Sequence, residues 1–283
     1  MSAPVNPMRR PWRLAVLLAL LLVASTVGAA PAAAAPGDLL PDLKMGDIYN
    51  IRLEESRGGR LRLRFGTIVW NVGDGPLQVE GSDRDGDVMR NLVQRISGRG
   101  GADRTYAPVG AQAFYSGDGH NHWHINAFIT ISLFSKDTGE AVDPVALADR
   151  GLRKIGFCLT DLVRAPASLR PSNAASRIGF PVIGCGTRAS QEFTMGISPG
   201  YGDDYKPFFN HQWIDVVGLE TGTYRMCATV NSTGMWQEKD QNLANNSSWL
   251  DVGIDAERSR MTVVASDDTD CEKPPPIWFG VGA

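Results

Sequence analysis

Short runs of alternating apolar and polar residues, each stopped by Gly, Asn, Asp or Pro, dominate this chain and leave little of it for helix. The clearest is "RLRLRFGTIVWNVG" (60–73), which sets Leu61, Leu63 and Phe65 on one face and ends at a Gly-Asp-Gly turn before "PLQVEG". Successive strand side chains point to opposite faces, so a period of two makes one apolar and one polar surface. "HINAFITISLFS", "KIGFCLT", "QWIDVVGL", "GTYRMCATVN", "SSWLDVGI" and "RMTVVAS" are likewise short and rich in β-branched and aromatic residues. Only "DPVALADRGLRK" (143–154) reads as helix, with Asp143 as N-cap and Pro144 in the first turn. The expected fold is mainly β, an antiparallel β-sandwich with long irregular loops and little helix. The stretch from Val163 to Ser198, rich in Ser, Ala, Pro and Gly, reads as irregular loop. A loop of that length calls for a function or a tether.

The first 35 residues stand apart. Arg9, Arg10 and Arg13 lead into an apolar run from Leu14 to Val27, followed by alanine-rich cleavage sites ending between Ala30 and Ala35. That is the layout of a secretory signal peptide, and the run is shorter than the about 20 residues a membrane span requires. The expected division is a signal peptide at residues 1–35 and one domain at 36–283, secreted and with no membrane span after cleavage. Cleavage leaves 25 basic against 31 acidic side chains, a charge of −6 in place of −3. A mildly acidic surface disfavours nucleic acid as a partner. The four cysteines, Cys158, Cys185, Cys227 and Cys271, imply disulfides in an exported chain, with three connectivities open. Proximity along the chain favours Cys158–Cys185 and Cys227–Cys271.

"SGDGHNHWHI" (116–125) holds His120, His122 and His124, three of the four histidines in 283 residues. In an ideal strand they would project from one face about 7 Å apart per step. A bulge or a turn at Gly117-Asp118-Gly119 would draw the rings onto one ion. Imidazole suits copper, zinc, iron or nickel, and three nitrogens leave positions for water or substrate. The spacing alone does not choose the metal.

Beyond the histidines the sequence resembles the catalytic domain of the lysyl oxidase family. The resemblance is carried by "GHNHWHI", "RKIGFCL", "MGISPGYGDDYKPFFNHQWIDVVGLETGTYRMCATVN" and "EKDQNLANN", in the family's order, with "LLPDL" and "LRLRFGTIVWNVGDGPL" before them. It spans most of Leu39 to Val252. It implies Cu(II) on His120, His122 and His124, and a self-made cofactor, lysine tyrosylquinone, from Lys154 (three positions before Phe-Cys-Leu) and Tyr205 (five past Ser-Pro-Gly). Asp203 occupies the position of an acid that the family keeps near its tyrosine and is the first candidate for general base, with Asp204 next. The family's further histidines after the cluster are missing here, where Phe128 to Ser135 stand instead, and His211 sits where the family has a cysteine. The resemblance also implies a Ca2+ site from Asp42, the Leu43 carbonyl, Glu238, Asp240, Asn245 and Asn246, since hard oxygen ligands suit calcium. Two extra residues separate Asp240 from the asparagine pair. "DRDGD" (83–87) reads as a plain acidic turn, because Gln94 stands where a calcium-binding loop of that type needs Glu.

The function so implied is a secreted amine oxidase. It would use O2 to convert primary amines, free or as lysine side chains of a protein, to aldehydes with release of H2O2 and NH3. The chemistry is consistent with the residue types: a quinone supplies the electrophilic carbonyl that side chains lack. Lys154 can attack a tyrosine-derived quinone only with its pKa drawn below the usual value of about 10.4. Two other readings use the same histidines: a non-catalytic, extracellular immunoglobulin-like module holding a structural metal, and a copper-storage or copper-transfer protein. Neither needs Lys154 together with Tyr205. The chain runs almost directly from leader to catalytic domain, without the propeptide or scavenger-receptor domains of animal members, which looks bacterial.

Overall fold

The strand that organises the site is β4 (Leu61–Asn71). The computed structural model describes residues 35–117, 119–139, 142, 156–210, 212–239, 243–269 and 271, and in it Leu63, Phe65 and Val69 of β4 are buried, as their alternation requires. On one side β4 pairs with β2 (Leu43–Met45) and β3 (Tyr49–Glu55). On the other it pairs with β13 (Tyr201–Tyr205) and β14 (Trp213–Asp215), and β11 (Val163–Arg164) closes onto β13.

A second sheet is centred on a hairpin of β5 (Leu77–Asp85) and β6 (Val88–Gly98), whose turn is the "DRDGD" segment with Gly86 at φ 62°. It extends through β12 (Phe193–Ile197) on the β5 side and through β8 (Ala113–Ser116) and β9 (His122–Ile125) on the other. The short strands β1 (Asp38–Leu39) and β7 (Arg104–Tyr106) also pair with β6. A third sheet runs β10 (Ile129–Ser135), β15 (Gly222–Val230), β16 (Ser247–Asp255), β17 (Arg260–Asp267) in that order. Every pairing is antiparallel. One continuous core draws on all three sheets, including Phe65 from β4, Leu77 and Val79 from β5, and Leu133, Met226 and Leu250 from the third sheet. The mainly β, antiparallel expectation holds.

Both expected disulfides are present, Cys158–Cys185 and Cys227–Cys271, with Cα separations of 5.8 and 6.0 Å. The stretch from Val163 to Ser198 is irregular over most of its length and ends in β12. Besides the disulfide, buried Asp161 tethers it. Its carboxylate accepts from the N–H groups of Gly179, Phe180 and Ser198 and from the Ser198 hydroxyl. Two segments differ from the sequence pattern. "HINAFITISLFS" is not one strand: it breaks at Ala127, in the left-handed region at φ 53°, and passes from β9 in one sheet to β10 in another. The break lets Ile125, Phe128 and Ile129 all reach the core. Of "KIGFCLT", the described part lies in no strand: Phe157 makes a two-way bridge to Ile125, and the Leu159 carbonyl accepts the Gly196 N–H at 3.0 Å. The expected signal peptide, and the helix expected at 143–154, lie outside the described residues. Among the described residues no helix is long and apolar enough to cross a membrane.

Candidate active site

The histidine cluster is made by the β8–β9 hairpin. Register sets Phe114 opposite His124 and Ser116 opposite His122, so both imidazoles leave β9 on one face. His120 belongs to the turn. Gly119 at φ 104° and Asn121 at φ 54° reverse the chain, and the Asn121 N–H donates back to the Ser116 carbonyl at 3.1 Å. This turn folds His120 over the strand pair, as the glycines around Asp118 suggest; Asp118 itself lies outside the described residues. Ring centroids stand 5.5 Å apart for His120–His122, 5.5 Å for His120–His124 and 4.8 Å for His122–His124.

Each ring offers a nitrogen, and the three lie within 4.8 Å of one another. Imidazole–metal bonds of about 2.0–2.1 Å place ligand nitrogens on one ion roughly 3–4 Å apart, so three nitrogens within 4.8 Å stand close to the spacing that a single transition-metal ion asks for. His124 is fully buried, with its ring edge-on to Phe114 at 5.7 Å. Gly156 is required here: a Cβ at that position would run into the Phe114 ring and lie 3.0 Å from the His124 Cβ.

Tyr205 ends β13 on the same side. Its hydroxyl oxygen accepts the N–H of Cys158 at 2.9 Å, and its ring packs on Phe157 at 4.3 Å, with Phe209 at 5.9 Å and His120 at 6.4 Å. The Cys158–Cys185 bridge therefore anchors the backbone donor that orients the Tyr205 ring. Period two along β13 turns Asp203 to the same face, where the buried Thr160 hydroxyl approaches its carboxylate at 3.4 Å. Asp204 faces the opposite way. The Tyr49 hydroxyl and the Lys206 amine both donate to it, and burial, then the bond to Asp204, pushes the Tyr49 hydroxyl well above its usual range. The Tyr49 ring can lie there because Gly66 has no Cβ to meet it. Lys206, although next to Tyr205, thus has its amine engaged on the far face of the strand.

A cavity of about 200 Å³ joins these groups. His120, His122, Tyr205 and Asp203 line it together with Thr160, Cys158 and Phe209, and Leu162 and Val182 stand at its wall. The structure thus brings together four sequence-derived site residues around one space, with His124 packed behind His120 and His122, and separates Asp204 from them. Lys154, Asp240 and His211 lie outside the described residues. Thr160, Leu162, Phe209 and Val182 carry no motif of their own; the clue in the sequence is adjacency, since Thr160 and Leu162 follow "GFCL" and Phe209 follows Tyr205 by four.

A second cluster forms where β2 meets the segment before β16. Glu238 is buried and accepts from the Leu43 N–H at 2.6 Å, from Asn231 at 2.6 Å and from Asn246 at 2.8 Å, while Asn245 donates to Asp42 at 2.6 Å. Burial pushes the Glu238 carboxyl up to about 7, against the lowering effect of those bonds, and the Asp42 charge adds to the rise. Two carboxylates, Asp42 and Glu238, and the carboxamides of Asn231, Asn245 and Asn246 are drawn together, and oxygen donors of this kind suit a hard cation.

The lysyl oxidase family model matches residues 83–264, a span that includes the histidine hairpin, β13 and the cavity wall. It begins after β4, so the strand on which β13 is aligned lies upstream of the match. No curated protein matches the sequence. Since the match extends over more than half of the 283 residues, the chain belongs to the lysyl oxidase family.

Proposed function

We propose that the protein is a secreted, copper-dependent amine oxidase whose quinone cofactor is built from Lys154 and Tyr205. The net reaction is RCH2NH2 + O2 + H2O → RCHO + NH3 + H2O2. The observation that carries the reading is that Tyr205 and Asp203 share one cavity with the histidine cluster. A storage or structural metal site has no use for either. His120, His122 and His124 would hold Cu(II), whose donor set fits them. When bound, copper and the lysine tyrosylquinone supply, respectively, the means to oxidise the tyrosine ring with O2 and an electrophilic carbonyl for a primary amine.

The chain's own residues do the rest. The Cys158 N–H and the Phe157 and Phe209 rings hold the Tyr205 ring in one plane. Asp203 accepts the proton from the substrate carbon next to nitrogen, and Thr160 orients its carboxylate. Leu162, Val182 and Phe209 give the cavity an apolar wall beside that carboxylate. Lys206 is supported as a bystander by its contact with Asp204. Residues 1–35 act as the export signal and 36–283 as the catalytic domain, and two disulfides suit an oxidising compartment. Ca2+ binds through Asp42, Leu43, Glu238, Asp240, Asn245 and Asn246 and ties β2 to the segment before β16.

The test is peptide mapping by mass spectrometry after maturation with Cu(II) in air. A covalent link between the Lys154 and Tyr205 peptides, lost in Tyr205→Phe, is the expected result. Separate, unmodified peptides in fully copper-loaded protein would return the chain to a metal-binding role.

A further inference from the structure

The turn that leaves β13 after Tyr205, residues 206–210, is gripped from β4. The Phe209 N–H donates to the Lys206 carbonyl at 3.0 Å, closing the turn, and the Gln212 N–H donates to the Phe209 carbonyl at 3.3 Å. Arg64 supplies the grip: its Nη1 donates to the Pro207 carbonyl at 2.9 Å and to the Phe209 carbonyl at 3.3 Å. Its Nε donates to Glu54 at 2.9 Å, and its side chain is only 14% exposed. Register sets Arg64 directly opposite Arg52. Like charges so placed repel, and Glu54, which accepts from both, offsets that. Gln212 closes the clasp from its other end, its amide donating to the Tyr205 carbonyl and to the Thr67 hydroxyl at 3.2 Å each. Arg64 and Thr67 both belong to β4. The strand that aligns β13 thus also fixes the turn that follows it.

What the turn presents is the Phe209 ring. It stands edge-on to His120 at 5.4 Å and to Tyr205 at 5.9 Å, and it lines the cavity with both. Beside it Asn210 approaches the histidine turn, where a Cβ on Gly119 would lie 3.4 Å from the Asn210 amide. The turn therefore lies between the histidine hairpin of one sheet and Tyr205 of another. Edge-on ring contacts favour particular placements, so the position of Phe209 biases both neighbours. We propose that Arg64 is a positioning residue of the site: by clasping the turn it sets the Phe209 ring against His120 and Tyr205 and so fixes the two relative to one another. Arg64 lies upstream of the family match. A guanidinium suits the task because its rigid fork serves two carbonyls and a carboxylate at once, which a flexible ammonium does less well. For quinone formation the role rests on the oxidase reading; for the histidine it does not.

Arg64→Met and Arg64→Lys test this against Arg60→Met, which removes an ion pair to Asp215 at the head of the same strand. In the copper-free chain, hydrogen exchange of the Phe209 and Gln212 amides is expected to rise at least about tenfold in Arg64→Met, since a charged donor holds the carbonyls of the turn. With Cu(II) bound and O2 excluded, the EPR signal of Arg64→Met should shift or become heterogeneous, and copper affinity, measured against a chelator, should fall about tenfold. In air, quinone formation followed by absorbance should slow about 10- to 100-fold. Arg64→Lys should lie between Arg64→Met and the unmodified chain in every readout. Arg60→Met should match the unmodified chain in all of them, despite its own loss of stability. An Arg64→Met chain with unchanged EPR signal and unchanged copper affinity overturns the proposal, whatever its exchange rates, because Arg64 would then only brace the turn. The same spectral change in Arg60→Met overturns it too, since general destabilisation would account for both. An unmodified chain that binds copper and forms no quinone overturns the oxidase reading alone, and the EPR signal and copper affinity still decide whether Arg64 places His120.

Discussion

Asp203→Asn and Asp204→Asn form a matched pair, because two adjacent carboxylates on one strand face opposite sides of it. Asp204 is buried and receives the Tyr49 hydroxyl and the Lys206 amine. Charge-assisted bonds contribute about 1.5–3 kcal/mol each. Lys206 is 42% exposed, so its share is discounted for solvent screening, and the net loss on Asp204→Asn is about 2 kcal/mol. For a domain of this size that lowers Tm by roughly 4–8 °C, while turnover per quinone stays near that of the unmodified chain. Asp203→Asn keeps the shape of the side chain and removes its basicity. The expected loss of kcat is about 10²–10⁴-fold, with a smaller shift in Tm than Asp204→Asn. Peroxide release, quinone absorbance and scanning calorimetry, run together, separate failed cofactor formation from failed turnover. Turnover abolished by Asp204→Asn at unchanged Tm and full quinone content would refute the assignment, as would more than a tenth of kcat surviving in Asp203→Asn.

The remaining predictions concern the scaffold. Opening Cys158–Cys185 by double Cys→Ser substitution should cost about 3–4 kcal/mol in chain entropy for its 27-residue separation and also lower cofactor content, because it releases the Cys158 N–H from Tyr205. Opening Cys227–Cys271, which packs with Phe134 and Trp249, should cost about 4 kcal/mol for its 44-residue separation and leave quinone content per folded molecule unchanged, readable by absorbance against calorimetry. Calcium at a hundredfold excess over its dissociation constant should stabilise the chain by about 2.7 kcal/mol, and Glu238→Gln should abolish that shift in a thermal melt. Arg225, through two hydrogen bonds, and Lys136 hold the Asp251 carboxyl below its usual value of 3.8. A depressed folded pKa stabilises above the unfolded value and is lost as pH falls through the folded one. Acid unfolding followed from pH 4 downward should therefore be less steep in Asp251→Asn than in the unmodified chain.

Long β-rich segments are legible from their β-branched and aromatic residues and turn punctuation; β4 also keeps its alternation in the structure, whereas β17 is exposed along nearly its whole length. β4, β15, β16 and β17 lie where the pattern sets them, and β4 buries Leu63 and Phe65 as read. β6 was not legible. Its buried face includes Gln94, whose side chain exchanges hydrogen bonds with the Gln237 backbone, so a polar residue stands where the pattern asks for an apolar one. The β9–β10 break was hidden for the opposite reason. Its residues are apolar on both sides of Ala127, and a left-handed alanine, unlike a glycine, leaves no mark in composition.

The site was legible through its histidines and, for Tyr205, only through the family pattern. "YGDDY" combines Gly with two Asp, residues depleted in strands, and as an isolated stretch it reads as surface loop. It is a strand because β4 offers Trp70, Val69, Ile68 and Thr67 as partners on a central edge, a contact about 130 residues away in sequence that no local window contains. Once that pairing is known, period two does what it did for β4: it sends Tyr201, Asp203 and Tyr205 to one face and Asp204 to the other. The two neighbouring aspartates, which the family resemblance ranks with Asp203 first, are set on opposite faces by strand pairing rather than by residue type. The Asp203–Asp204 pair consequently also tests that pairing: a slip of one residue between β13 and β4 would exchange the two phenotypes.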